Sequence, residues 1–260
     1  MVRNKRIKKQ QKQIWSESTP SSHHQHKPSE IKESAAILTN SELFKGKDVL
    51  VLGSKEGTLS FEILIKTKPK RVTNIERDAV RVLRSVKNSK HLENIEQKDI
   101  THLQQIGLKS FRKDPLSAAL VALAGEDIEA DWLYNKFFFF RSDAYDYLTK
   151  ITARFDTIIL NRSLFKKMHL ERGDKGLETF IKNISTRLNS KGHLILDIYQ
   201  KSSYVKTTKK DKEYKGSMKG LKLEEEGLIK MISKYLYINK NLTKKETGAK
   251  SKTYVFQQKN

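Results

Sequence analysis

Between Asp48 and Asp78 the chain reads DVLVLGSKEGTLSFEILIKTKPKRVTNIERD, and no other stretch restricts the fold so strongly. Its apolar run VLVL has the unbroken hydrophobicity of a short strand covered on both faces, rather than the stripe of a surface helix. Gly53 and Gly57 bracket a tight turn, and TLSFEILIK resumes with helical spacing. After Pro69, RVTNIE reads as a second strand that ends on an acid, Glu76. Strand, glycine turn, helix, strand and acid make up a nucleotide-type half-site. The glycines let the backbone approach a ligand, and the acid accepts hydrogen bonds from two ribose hydroxyls. The glycine spacing is G-x-x-x-G, with the acid about twenty residues further on, which suits S-adenosylmethionine better than a dinucleotide. A purely structural βαβ unit with an ordinary turn glycine would look the same at this stage.

The rest of the chain extends this pattern. FFFF (Phe137 to Phe140) reads as a buried core strand, since it does not alternate, and RSDAYDYLTKI as a short helix. RFDTIIL (Arg154 to Leu160) is the clearest later strand, and FIKNISTRL is an amphipathic helix. NSKG reads as a turn with Gly192 at the helix stop, and HLILDIY (His193 to Tyr199) as the next buried strand. The lysine-rich KSSYVKTTKKDKEYKGSMKG is expected to be a mobile loop, LKLEEEGLIKMISKY a helix, and LYINKNL with KTYVFQQK a closing antiparallel pair. Buried strands alternating with helices predict an α/β, mostly parallel, doubly wound sheet. A terminal antiparallel hairpin is the usual finish of the class I methyltransferase fold, a Rossmann-like seven-stranded sheet. Ligands in such sheets lie beyond the carboxyl ends of the strands, which gathers Gly53, Glu76, Asn161 and Tyr199 around one crevice. DAVRVLRSVKNSKHL is expected to be a basic amphipathic helix, and residues 100–135 an insertion with a helix of their own.

Charge narrows the choice of partner. The chain carries 52 Lys and Arg against 30 Asp and Glu, a formal net charge of +22, and its isoelectric point is about 9.9. Such a field favours a polyanion, and nucleic acid over an anionic membrane, because no basic amphipathic helix with bulky apolar residues stands out. There is no cysteine, so disulfides, thiolate zinc sites and a cysteine nucleophile are excluded. No apolar run reaches the roughly twenty residues of a membrane span, and no apolar signal-peptide core is visible, so an intracellular protein is expected. Residues 1–36 are polar and basic and read as a disordered arm ahead of a domain spanning 37–260. Within the arm RNKRIKK could serve as a nuclear address. His23, His24 and His26 lack nearby acids or cysteines and read as a solvated tail rather than a metal site.

The string SLFKKMHLERGDKGL (Ser163 to Leu177) resembles the S-L-T-K-W-[IV]-H-L-N-x-G-D-x-G-L signature of the methylphosphate capping enzymes, the bicoid-interacting methyltransferase family. TRLNSKGHLILDIYQKSSYVK is similar to that family's R-H-L-x-P-G-G-x-L-x-L-E-P-Q-x-W-x-S-Y-x-K, and GAKSKTYVFQQK to its closing R-P-[IV]-Y-x-F. The match is collinear from about Phe44 to Lys259. The resemblance implies an S-adenosylmethionine-dependent O-methyltransferase acting on the 5′-terminal phosphate of a small non-coding RNA, with nuclear location and ribonucleoprotein proteins as partners. It implies Gly53, Ser54 and Gly57 in the cofactor turn, Glu76 on the ribose, Ser142 or Asp143 at the adenine edge (Asp99 if that strand is misplaced), and Asn161 beside them. It further implies Lys166 and His169 at the reacting phosphate, and Lys166, Lys201, Tyr204 and Lys206 as the RNA grip.

The sequence also departs from the family pattern. D-[IL]-G-C-N is replaced by VLGSKE, so Val51 stands for an acid, while Lys55 and Glu56 add bulk and charge to the turn. Lys167 and Lys201 stand where the family has tryptophan, and SSHHQHKPSE replaces the aromatic G-N-Y-x-x-Y-Y segment. An alternative therefore stands beside the enzyme: a catalytically inactive relative that binds and protects a small RNA within a ribonucleoprotein.

Overall fold

The computed structural model describes residues 40–55, 57–78, 81, 136–161, 164–210, 214, 217–218, 221–222, 224–243 and 251–259. The polar arm, the basic helix expected after Asp78 and the insertion expected at 100–135 lie outside the described residues, or almost wholly so.

A short 3-10 turn (Ser41–Leu43) leads into β1 (Asp48–Leu52), followed by α1 (Thr58–Thr67) and β2 (Arg71–Glu76). Next come β3 (Phe137–Arg141), α2 (Ala144–Lys150), β4 (Phe155–Leu160), α3 (Leu164–Thr186) and β5 (Leu188–Tyr199). The chain continues through α4 (Lys201–Lys210), α5 (Glu225–Ile232), β6 (Leu236–Ile238) and β7 (Ser251–Gln258). The strands form one seven-stranded sheet in the order β3-β2-β1-β4-β5-β7-β6. Strands β1 to β5 pair in parallel, while β7 runs antiparallel to both β5 and β6. The doubly wound, mostly parallel sheet and its terminal hairpin are those expected from the sequence.

Side-chain alternation along each central strand divides the core in two. Val49 and Val51 of β1 join Ile159, Ile195 and Val255 under α1. Leu50 and Leu52 point the other way, into the larger cluster with Phe165, Phe180 and Ile184 of α3. A strand buried on both faces has no polar alternation, which is why VLVL is legible as β1. In α3 the buried Leu177, Phe180, Ile181 and Ile184 follow the helical period.

Three segments differ from their sequence readings. β3 is not a buried strand: Phe137 is covered, but Phe138 and Phe140 are 39% and 47% exposed. Among the described strands β3 lies at the sheet edge, paired only with β2, and Phe140 stacks on Tyr147 instead of entering the core. NSKG is not a free turn but part of β5. Phe155 pairs with Leu188 and Thr157 with His193, so the intervening residues bulge out while both ends stay in the ladder. A Cβ on Gly192 would stand 2.8 Å from the Asn189 carbonyl oxygen and 3.1 Å from that of Asp156, so the bulge closes too tightly for a larger residue. Finally, KSSYVKTTKK is helix α4 rather than a mobile loop. Its lysine content disguises a segment free of Gly and Pro that is anchored by the buried Tyr204.

Candidate functional site

At the carboxyl end of β1 the backbone takes left-handed conformations at Gly53 (φ 70°), Lys55 (φ 55°) and Gly57 (φ 84°). This folds the turn back over β2, where the N–H groups of Gly53 and Ser54 both donate to the Ile75 carbonyl, at 2.8 and 3.2 Å. A Cβ at Gly53 would come within 3.2 Å of the Leu164 side chain, so glycine lets the first turn of α3 close against this loop. Glu76, the last residue of β2, is buried and holds the turn: Oε2 accepts the Lys55 N–H at 2.8 Å and Oε1 the Asp78 N–H at 3.0 Å. After β4, Asn161 closes the other side, its N–H donating to Leu52 and its Nδ2 to the Gly53 carbonyl at 3.0 Å.

These strand tips surround a cavity of about 250 Å³. Gly53, Glu76, Ser142, Asp143 and Asn161 line it, five of the residues expected from the sequence. The other two candidates of that group do not. Ser54 is buried under the turn, with no hydrogen-bond partner for its Oγ among the described residues, and Gly57 forms the N-cap position of α1. Asp143 also caps α2, accepting the N–H groups of Tyr145 and Asp146. Lys55 lines the cavity without filling it.

Helix α3 supplies a wall that the sequence comparison missed. Leu164, Lys167, Met168 and Glu171 line the cavity at spacings of three and four residues, one face of one helix. Helical periodicity counted from Leu164 would have selected them. Glu171 is further held by the Tyr214 hydroxyl, which donates at 2.8 Å, and by Arg77 at 3.5 Å.

Lys166 and His169 lie on the opposite side of α3. Both are buried, and they face α4. Lys166 Nζ donates to Ser203 Oγ at 3.0 Å and sits 4.6 Å from the centre of the Tyr199 ring. Burial lowers its pKa, and the neighbouring charges of Lys167 and Lys206 lower it further. Among the described residues no carboxylate pairs with any of these three lysines. His169 has both ring nitrogens engaged, Nε2 with Asp174 Oδ1 at 2.7 Å and Nδ1 with the Tyr204 hydroxyl at 3.1 Å. Tyr204 is buried edge-on against that ring, and its hydroxyl pKa is raised by burial and then by the Asp174 charge. Lys206 is exposed, and Lys201 forms an exposed ion pair with Glu224. Tyr199 does not join the first crevice; with His169, Tyr204 and Leu228 it lines a second cavity of about 350 Å³. Among the described residues no helix is long and apolar enough to cross a membrane.

Comparison with known proteins follows this division. Residues 155–258, the segment that contains α3, α4 and the hairpin, match the family model for bicoid-interacting protein 3 (Bin3). The human 7SK snRNA methylphosphate capping enzyme is 28% identical over 189 residues, 64% of this chain but 27% of that protein. Among solved structures, the N-methyltransferase NodS from Bradyrhizobium japonicum WM9, in complex with S-adenosyl-L-homocysteine, aligns with a TM-score of 0.58 at 11% identity, over 96% of this chain and 98% of its own. Magnesium protoporphyrin IX methyltransferase (ChlM) from Synechocystis PCC 6803 with bound SAM aligns with a TM-score of 0.52 at 11% identity, over 95% of this chain and 90% of its own. Sheet order and these alignments together establish the class I methyltransferase fold. The carboxy-terminal segment is in addition similar to the bicoid-interacting protein 3 family, and the chain spans about a quarter of the length of the human relative it matches.

Proposed function

We propose that this chain transfers a methyl group from S-adenosylmethionine to the 5′-terminal phosphate of a small non-coding RNA. One observation carries the proposal: Lys166, Lys167 and Lys206 form a cation cluster without carboxylate partners among the described residues, and Lys167 also lines the cavity that holds Glu76.

The cavity residues fit such a cofactor. A carboxylate offers about four lone-pair sites. Backbone N–H groups occupy one on each Glu76 oxygen, which leaves acceptors for two ribose hydroxyls. Ile75, Ala144, Leu164 and Met168 provide apolar wall for a base. When bound, the cofactor supplies an electrophilic methyl group on a sulfonium. The remaining work falls to the protein. A terminal phosphate oxygen is already an anion, so it needs no strong base, only neutralisation of its neighbours and correct aim. Lys166 is suited to this: its ammonium is partly desolvated and repelled by two other cations, so an incoming anion relieves a standing penalty. Net charge of +22 draws the RNA towards the protein.

The test is methyl transfer to one RNA prepared with a 5′-triphosphate, a 5′-monophosphate or a 5′-hydroxyl. Transfer confined to a phosphate-bearing end is expected, and the two phosphate forms identify the preferred end. Equal labelling of the 5′-hydroxyl RNA would overturn the proposal.

A second reading is favoured by the charge of the cavity wall. Among the described residues, Lys55, Arg77, Arg81 and Lys167 face Glu76, Asp143 and Glu171 there, and a surplus of cations opposes a sulfonium. On this reading the chain holds and protects an RNA end within a ribonucleoprotein without catalysis. Calorimetry with S-adenosylhomocysteine separates the two, since micromolar binding supports the enzyme and absence of binding supports the holder. A nuclear location accompanies either reading, and imaging of the tagged full chain tests it.

A further inference from the structure

Neither ring nitrogen of His169 is free to exchange a proton with a substrate. Its two partners instead tie it to other parts of the fold. Asp174 follows the break in α3 at Gly173 (φ 67°, ψ −175°), and its second oxygen accepts the Lys222 N–H at 3.0 Å. Tyr204 belongs to α4. Pairing with Asp174 favours the tautomer with the proton on Nε2, so Nδ1 accepts from the tyrosine O–H.

We propose that Asp174, His169 and Tyr204 form a positioning relay that fixes α4 against α3 and so sets the spacing of Lys166 and Lys206 around a terminal phosphate. This inference rests on the RNA-end reading given above. Lys166 and His169 stand three residues apart on one face of α3, and Ser203 and Tyr204 are neighbours on α4. Two side-chain bonds therefore lace the helices together, Lys166 to Ser203 and His169 to Tyr204. The lacing is needed because the lysines on the two helices repel each other across the same gap. Without it, mutual repulsion favours movement of Lys206 away from Lys166, and a phosphate would then meet one cation fewer. His169 thus acts on the substrate only through the placement of other groups.

The experiment is a double-mutant cycle on RNA binding by the full chain, with wild type, Tyr204→Phe, Lys166→Ala and the double variant. Tyr204→Phe keeps the ring and removes the hydroxyl. It is expected to weaken 5′-triphosphate RNA by about tenfold, the consequence of an unpaired buried nitrogen and a loosened helix. The same RNA with a 5′-hydroxyl, and S-adenosylhomocysteine, should each bind within about twofold of wild type. Because both changes act on one phosphate contact, the double variant should bind no more than about twofold worse than Lys166→Ala. Asp174→Asn, which keeps an oxygen acceptor for Nε2–H, should retain more discrimination between the RNA ends than Asp174→Ala. This pair also carries the test if Tyr204→Phe does not fold. Additive losses in the double variant, equal losses on both RNAs, or equal effects of the two Asp174 variants would overturn the relay. If wild type does not distinguish the RNA ends, the functional reading falls first and the relay falls with it.

Discussion

Replacing Glu76 by glutamine changes a few atoms at the point where the cofactor turn is fastened. The carboxylate accepts two backbone N–H groups, from Lys55 at 2.8 Å and Asp78 at 3.0 Å, and only 7% of the residue is exposed. An amide keeps one oxygen and places an NH₂ group against the other N–H, so one charge-assisted bond is lost and two donors face each other. Bonds of this kind contribute about 1.5–3 kcal/mol each. The same substitution removes an acceptor for a ribose hydroxyl. At 1.4 kcal/mol per factor of ten, affinity for S-adenosylhomocysteine should fall by roughly ten- to a hundredfold. Calorimetry at fixed pH measures this, with a thermal melt of the same sample to report how far the turn itself has loosened. Affinity within about twofold of wild type, in a variant that melts with wild type, would remove Glu76 from the site and refute the account of the cavity.

Three other outcomes follow. Because burial and then Lys167 and Lys206 hold the Lys166 pKa below the ordinary lysine value of 10.5, and a bound phosphate favours its charged form, binding takes up a proton. Affinity for 5′-phosphate RNA should be full below that lowered pKa and be lost as pH rises through it, and Lys166→Arg should flatten the fall; loss beginning only in the ordinary lysine range would contradict the burial argument. Gly192→Ala would force a Cβ to within 2.8 Å of a backbone oxygen, so urea melts should show a loss of about 1–3 kcal/mol, and an unchanged midpoint would refute the tight bulge. The corrected position of the phenylalanine strand predicts unequal costs, about 3–5 kcal/mol for the fully buried Phe180→Ala and below about 1 kcal/mol for the exposed Phe138→Ser.

The unit from β1 to β2 was legible because its signals are local: an unbroken apolar run, two glycines at a turn and an acid at a strand end. The sheet followed from repetition of that unit, and the closing hairpin from its composition. Side-chain placement around α3 was less accessible. Lys166 and Lys167 are neighbours in sequence but face different sides of one helix, and only a periodicity count assigns Lys167 to the cavity wall. The pairing of His169 with Tyr204 spans 35 residues, a contact that no local pattern encodes. Lysine content concealed α4 for the same reason, since what orders that helix is a tyrosine buried against a distant histidine. The phenylalanine run misled because hydrophobicity alone does not tell a central strand from an edge strand.

The most direct test of the central claim is the mass of the 5′-terminal nucleotide of a triphosphate RNA after incubation with the full chain and S-adenosylmethionine. Gain of a single methyl group on the terminal phosphate, absent from the Glu76→Gln and Lys166→Ala variants, is the expected result. An unmodified terminus from a preparation that binds both cofactor and RNA would contradict it.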